Sequence, residues 1–142
     1  MHSVDFSPDG NMLVLGFNDG MIVLLKCVNN YEKLEKCDSN RQRKACVSDI
    51  KFSPSMNPKR IAAGLSDCTI DFFDVTPEGK LYRIGYCKQV PGPVSVIDWS
   101  MSSKYIKVST TNNKKTIFEV PNGNEIKQET IHDSVEWYQW SR

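Results

Sequence analysis

The residues of this chain that could perform acid–base or nucleophilic chemistry are few and scattered. Its two imidazoles belong to His2 and His132, near opposite ends of the sequence. Catalysis of either kind needs a base within hydrogen-bond reach of a nucleophile or substrate proton. The sequence contains no G-x-S-x-G, P-loop or G-x-G-x-x-G segment. We interpret His132-Asp133 as a surface turn, not a catalytic dyad, and predict that the chain is not an enzyme.

The cysteines form neither a metal-ligand pattern nor a disulfide framework. They are odd in number and widely spaced, with no C-x-x-C pair: Cys27, Cys37, Cys46, Cys68 and Cys87. Zinc sites need Cys and His at ligand spacing, so we predict no metal and no other cofactor. Structural disulfides are rare in the cytosol, and the chain also lacks an N-x-[ST] sequon. These features favour a cytoplasmic location.

Two groups of basic residues are candidates for contact with an acidic partner. One group is Arg41, Arg43 and Lys44, and the other is Lys114 and Lys115. Exposed charges are screened over about 8 Å at physiological salt, so a cluster is needed for a strong contact. The alternative interpretation is that both groups are solvated loops.

The overall charge excludes other classes of partner. The 18 Lys and Arg residues nearly balance the 17 Asp and Glu residues. A near-neutral chain does not steer nucleic acid or an anionic membrane toward itself. The sequence also lacks an apolar run of about eighteen residues, the length that a membrane span needs. We predict neither nucleic acid nor a membrane as a partner, which leaves other proteins.

The elements that carry these residues are arranged as a repeat. Val4-Asp5-Phe6-Ser7 is followed by Ile50-Lys51-Phe52-Ser53 and then by Ile97-Asp98-Trp99-Ser100. Phe6 lies 46 positions before Phe52, which lies 47 positions before Trp99. Each copy predicts an innermost strand that carries the Phe or Trp, and Trp99, which replaces Phe6 and Phe52 in the repeat, is expected in the core. A period in the mid-forties with four strands per unit is typical of a propeller blade.

Three further strands are predicted in each copy. Apolar second strands are expected at 12–17, 60–65 and 105–110, third strands at 21–26, 69–75 and 115–120, and more polar outer strands at 31–37, 81–88 and 125–131. Turns that contain Asp19 and Asp67 separate the second strand from the third. Gly16 and Gly64 occupy one repeat position, where a close approach of neighbouring blades and a simple bulge are both plausible.

The predicted fold class is all-β. It is a fragment of a WD-type β-propeller with three four-stranded blades and the start of a fourth. We place the blades at 1–44, 45–91 and 92–132, with a further strand or tail at 133–142. Propellers close with about four to eight blades, so we expect this chain to be a piece of a longer protein. If it is isolated, we expect it to self-associate as a dimer that completes a ring.

The repeat resembles the WD family over almost the whole chain. Phe-Ser-Pro-Asp-Gly after the first strand and Asn-Asp-Gly before the third strand are typical of that family. Asp19 and Asp67 match its turn aspartate, whose carboxylate caps backbone N–H groups. The Trp-Asp dipeptide is degenerate here, with Leu25-Lys26, Phe73-Asp74 and Phe118-Glu119 in its place.

A narrower resemblance lies in the third copy and the residues after it. The D-W-S-x-x-S-x-Y segment at 98–105 and the tryptophan-rich segment around Trp137 and Trp140 are similar to the echinoderm microtubule-associated protein-like family. The resemblance implies a non-catalytic scaffold that binds tubulin or microtubules at the cytoskeleton. The alternative is a WD-repeat adaptor in signalling or trafficking. Left unpaired, Trp137 and Trp140 would form an exposed apolar patch.

Overall fold

The computed structural model describes residues 2–28, 32–56 and 59–126. These residues form twelve strands in three antiparallel sheets of four. The first blade contains β1 (Ser3–Phe6), β2 (Met12–Gly16), β3 (Ile22–Val28) and β4 (Lys33–Asn40). The second contains β5 (Val47–Met56), β6 (Lys59–Leu65), β7 (Ile70–Val75) and β8 (Leu81–Cys87). The third contains β9 (Val94–Trp99), β10 (Tyr105–Thr110), β11 (Lys115–Glu119) and β12 (Glu125–Ile126).

The same turn chemistry closes the first hairpin of every blade. Ser7 and Ser100 directly follow their innermost strands, Ser53 lies within β5 at the same repeat position, and each is at most 1% exposed. Each hydroxyl oxygen accepts a hydrogen bond from a backbone N–H at the start of the second strand, at 3.0, 3.1 and 3.1 Å respectively. The repeated serine therefore fixes the reversal of the chain in all three copies.

The core lies between the blades, in two separate layers. Side chains alternate across a strand, so β6 and β7 of the second blade contribute to both layers. Ile61, Ala63 and Phe73 pack in the layer shared with the first blade. Ala62 and Phe72 pack in the layer shared with the third blade. This burial on both faces explains why the middle strands are almost continuously apolar.

The predicted strands are confirmed in their order and largely in their bounds, except that 127–131 of the last predicted outer strand lies outside the described residues. The outer strand of the first blade runs from Lys33 to Asn40, later than the predicted 31–37. Trp99 is 2% exposed, which confirms its predicted place in the core. His132 and the proposed start of a fourth blade, with Trp137 and Trp140, lie outside the described residues. Among the residues that are described, no helix is long and apolar enough to cross a bilayer.

Neighbouring blades approach closely at the two repeated glycines. A Cβ atom added to Gly16 would lie 2.5 Å from Cγ1 of Val47, at the start of the next blade. One added to Gly64 would lie 2.8 Å from Cβ of Val94, at the start of the third blade. Gly16 pairs in regular register, whereas the strand opposite Gly64 contains a bulge. Close approach therefore explains both glycines, and the bulge accompanies only the second.

Serine hydroxyls connect the same pairs of blades. The hydroxyl of Ser3 donates to the carbonyl of Val47 at 2.9 Å. The hydroxyl of Ser48 donates to the carbonyl of Val94 at 2.5 Å. The contact between the first and second blades is thus repeated between the second and third.

Candidate functional site

The connections between blades and the turns between second and third strands lie at one end of the three sheets. This follows from the antiparallel strand order, because the second and fourth strands of a blade point the same way. We call this end the connector face. It comprises residues 17–21, 41–46, 66–69, 88–93 and 111–114, together with Lys115 at the start of β11. Loops on a rigid scaffold commonly hold binding residues, which makes the connector face the candidate interface.

Hydrogen bonds hold each connector against a turn of the next blade. The N–H of Cys46 donates to Oγ of Ser66 at 3.1 Å, and the N–H of Ser66 donates to the carbonyl of Cys46 at 2.9 Å. In the third blade, the side-chain amide of Asn112 donates to the carbonyl of Pro91 at 3.3 Å. The connectors are therefore tied to the sheets at several points.

The turn aspartates accept local hydrogen bonds. Oδ1 of Asp19 accepts from the N–H of Met21 at 3.1 Å, and Oδ1 of Asp67 accepts from the hydroxyl of Thr69. Asp19 thus contacts a backbone N–H, whereas the contact of Asp67 is with a side chain. Both contacts join the turn to the beginning of the third strand.

One residue of each of these turns has a left-handed backbone. The φ angles are 91° at Gly20, 66° at Cys68 and 64° at Asn113. Glycine and asparagine adopt this conformation readily, whereas cysteine does so less easily. Cys68 is partly buried against the second core layer, so it is less accessible than its place in a turn suggests.

Five basic residues were predicted as candidate contacts for an acidic partner, and four of them have exposed side chains on the connector face. Arg41 forms a 3.5 Å ion pair with Asp19, and the two side chains are 41% and 60% exposed. Lys44, Lys114 and Lys115 are also exposed. Exposed ion pairs contribute little to stability, about 0–1 kcal/mol, so Arg41 can exchange Asp19 for another carboxylate. The two basic groups share one face but belong to different blades.

Arg43 has a different environment from the other basic residues. Its Nη2 lies 3.0 Å from Oδ1 of Asp71, and its Nε lies 3.3 Å from Oδ2. Arg83 contacts the same carboxylate at 3.0 Å through Nε and at 2.8 Å through Nη2. Asp71 is 1% exposed, so both guanidinium groups compensate a buried charge. The hydrogen bond with Asp71 raises the pKa of Arg43 above its usual value.

This pair of arginines around Asp71 was not anticipated. A signal was present, because Asp71 interrupts an apolar strand, and a carboxylate buried there requires a cation. The sequence did not indicate which cations, since Arg43 lies in a connector and Arg83 on the outer strand.

Partly buried carboxylates also occur on the innermost strands. Oδ2 of Asp5 accepts from the N–H of Phe52 at 2.8 Å, and Oδ2 of Asp49 accepts from the N–H of Ile97 at 2.7 Å. Burial raises the pKa of Asp5 from 3.8 to about 6, and it raises the pKa of Asp49 as well. Each carboxylate contacts the next blade, so these groups belong to the interface between blades.

The acidic, histidine and cysteine side chains of the described residues are dispersed. In residues 2–28, 32–56 and 59–126, no three His, Cys, Asp or Glu side chains are grouped so that they could hold a metal ion. All five cysteines lie within these ranges and are free thiols.

The fold is that of WD40 β-propellers. The chain is similar to the β-propeller domain of Cps50 (Swd1) from Myceliophteria thermophila, with a TM-score of 0.70, 17% identity, and coverage of 88% of this chain and 41% of that one. It is also similar to the C-terminal WD40 domain of Sif2, with a TM-score of 0.74, 19% identity, and coverage of 88% and 35%. The chain is therefore part of a WD-repeat β-propeller.

Within this class the chain resembles the echinoderm microtubule-associated protein-like proteins. It is 25% identical over 138 residues to human echinoderm microtubule-associated protein-like 4, covering 96% of this chain and 14% of the relative. It is 24% identical over 135 residues to human echinoderm microtubule-associated protein-like 3, covering 94% and 14%. The chain thus spans about one seventh of the length of these curated relatives. No protein-family model matches it.

Proposed function

We propose that this chain is a non-catalytic scaffold that binds protein partners through its connector face. The observation that carries the proposal is the exposure of Arg41, Lys44, Lys114 and Lys115 on one end of the stacked blades. Hydrogen bonds hold the connectors in place, so little conformational entropy is lost when a partner binds. The WD40 fold and the distant relatives support a role in protein interaction.

The partner that we propose is tubulin or the microtubule, with a cytoplasmic and cytoskeletal location. The relatives named above are echinoderm microtubule-associated protein-like proteins. An acidic polypeptide surface would complement the cationic side chains of the connector face, including Arg43 at its inner side. Charge complementarity of this kind acts mainly on the association rate and depends on ionic strength.

Co-sedimentation with microtubules tests this proposal. We expect the double variant Lys114→Glu/Lys115→Glu to pellet several-fold less than the unmodified protein at low salt. The matched control is Lys80→Glu/Lys104→Glu, which reverses two exposed charges at the opposite end of the sheets. The control should pellet like the unmodified protein.

Other outcomes distinguish the alternatives. Equal pelleting of both double variants would show that the connector face is not the contact. If the unmodified protein does not pellet at all, the microtubule role is wrong, and a WD-repeat adaptor in signalling or trafficking becomes the better hypothesis.

We also propose that the isolated chain self-associates into a dimer with six blades. Phe52 and Trp99 are 1% and 2% exposed because the preceding blade covers them. Phe6, at the same repeat position in the first blade, is 49% exposed, and its neighbour Val4 is 45% exposed. A third blade from a second copy would cover this face with contacts like those already present between blades. The limits 1–44, 45–91 and 92–132 are our proposed blade boundaries.

A further inference from the structure

The outer strand of the second blade differs in charge from that of the first. β8 contains one cation, Arg83, and no carboxylate, and Lys88 directly follows the strand, which gives residues 81–88 a net charge of +2. In β4, two lysines are balanced by Glu35 and Asp38, which gives a net charge of zero. Mixed charges on an outer strand discourage non-specific pairing, and β8 lacks them. This surface is therefore suited to a negatively charged partner.

Two tyrosine rings are exposed on this strand. Tyr82 is 59% exposed and Tyr86 is 47% exposed. They are four positions apart, but a β-bulge between them pairs Tyr86 with Asp71 and Tyr82 with Asp74, which face opposite sides of the sheet. Tyrosine and arginine are enriched where proteins bind one another, because they combine a large contact area with hydrogen-bonding groups. Tyr86 shares its face with Arg83, so its ring offers the contact surface for a short extended peptide that lies along β8.

Two cationic side chains lie close to the ring of Tyr86. The guanidinium carbon of Arg83 lies 4.7 Å from the ring centroid of Tyr86, and Nζ of Lys88 lies 5.1 Å from it. Both distances are within the range of cation–π attraction. We call Arg83, Tyr86 and Lys88 the β8 cluster.

The buried ion pair fixes the position of the cluster and leaves it positive. Asp71 balances one of the two guanidinium groups that contact it, so the charges of Arg43, Asp71, Arg83 and Lys88 sum to +2. Arg83 contacts Asp71 through Nε and Nη2, whereas a guanidinium group has five donors in all. Its Nη1 can therefore donate to a carboxylate of another molecule. Because Arg83 is already held in place, little of its rotamer entropy is lost when a ligand binds.

We propose that the β8 cluster binds an acidic, extended peptide segment of a protein partner. Carboxylates of the peptide pair with Arg83 and Lys88, and its aliphatic stems pack on the ring of Tyr86. This site is on the outer rim of the second blade, and it meets the connector face at Lys88 and, through Asp71, at Arg43. It does not include Arg41, Lys44, Lys114 or Lys115. It gives the scaffold a second contact that does not depend on the proposed microtubule role.

Fluorescence anisotropy with a fluorescein-labelled oligoglutamate peptide tests the proposal. We expect Lys88→Glu to weaken binding about tenfold, because it removes one attractive charge and adds a repulsive one. Tyr86→Leu keeps an apolar side chain but removes the ring that orders both cations, and should weaken binding about threefold. Both positions are exposed, and circular dichroism will establish that the variants are folded. Lys36→Glu, on the exposed outer strand of the first blade, is the matched control and should bind like the unmodified protein.

Three results would overturn the proposal. Equal loss in Lys88→Glu and Lys36→Glu would indicate attraction by charge alone. Tighter binding of an oligouridylate than of oligoglutamate would assign the cluster to nucleic acid. Loss of binding in Lys114→Glu/Lys115→Glu, with none in Lys88→Glu, would place the acidic contact at Lys114 and Lys115 and leave the proposed function standing.

Discussion

Asp5 has an environment that its position in the repeat does not predict. It lies on an innermost strand at the same repeat position as Lys51 and Asp98, where a polar residue would be expected to face solvent. Instead its carboxylate is directed to the N–H of Phe52 in the second blade. Burial raises the pKa of Asp5 to about 6, against the lowering effects of this hydrogen bond and of the Lys51 ammonium group.

The raised pKa of Asp5 makes stability dependent on pH. The folded-state pKa of about 6 exceeds the ordinary value of 3.8, so the folded protein holds this proton more tightly than the unfolded chain. The resulting stabilisation is complete below pH 3.8 and is lost as the pH rises through 6. Asp5→Asn keeps an oxygen acceptor for the N–H of Phe52 but cannot ionise. We expect the free energy of unfolding of this variant, relative to that of the unmodified protein, to be about 2 kcal/mol higher at pH 7 than at pH 4.

Urea unfolding of both proteins at pH 4 and pH 7 measures this effect. Glu78→Gln, at an exposed turn, is the control and should not change the pH dependence. A difference between Asp5→Asn and the unmodified protein that is the same at both pH values would contradict the assignment.

The residue scale also shows what the sequence could and could not predict. Trp99 was predicted in the core because it replaces Phe6 and Phe52 in a repeat, and its burial confirms this. The pairing of Arg43 with Asp71 was not predictable, because the residues are 28 positions apart and belong to different elements. Repeats predict contacts that occur in every copy, and this contact occurs in one.

At the scale of elements, hydrophobic alternation and turn residues were sufficient for the strands of every blade. The least accurate strand was β4, which is polar and begins at Lys33. An outer strand packs on one side only, so its sequence is less constrained by burial. The tie between connectors and turns, such as Cys46 with Ser66, could not be predicted, since it depends on how two blades stack.

The close approach of blades at Gly64 can be tested by substitution. A methyl group there would lie 2.8 Å from Cβ of Val94 and 3.0 Å from Cδ1 of Ile97. We expect Gly64→Ala to lower the free energy of unfolding by about 1–3 kcal/mol, the usual cost of overpacking. The measurement is the midpoint of chemical denaturation.

The third blade provides the matched control for this substitution. Ser109 occupies the repeat position of Gly64 and already carries a side chain, so Ser109→Ala should change stability little. The double variant Gly64→Ala/Val94→Ala should recover part of the loss, because the smaller side chain makes room. If Gly64→Ala is as stable as the unmodified protein, the blades are not limited by contact at this position.

At the scale of the whole molecule, two core layers and two repeated interfaces join three blades in series. Such an array stabilises each unit through its neighbours, so the outermost faces determine how it associates. The sequence predicted this arrangement from the period of the repeat. The binding surfaces were harder to predict than the fold. The basic residues of the connector face are visible as clusters in the sequence. The β8 cluster depends on contacts around Tyr86 and on the ion pair with Asp71, which only the folded structure brings together.

The blades are repeats joined by one recurring interface. On the first blade, the side of this interface that carries Val4 and Phe6 has no preceding blade against it in the described structure and is exposed. Light scattering over a range of concentrations tests this arrangement most directly. We predict a folded species of twice the 16.2 kDa chain mass, and we predict that Phe6→Ser shifts it toward the monomer while remaining folded. A well-folded monomer of 16.2 kDa at every concentration would contradict the claim that this face requires a blade to cover it.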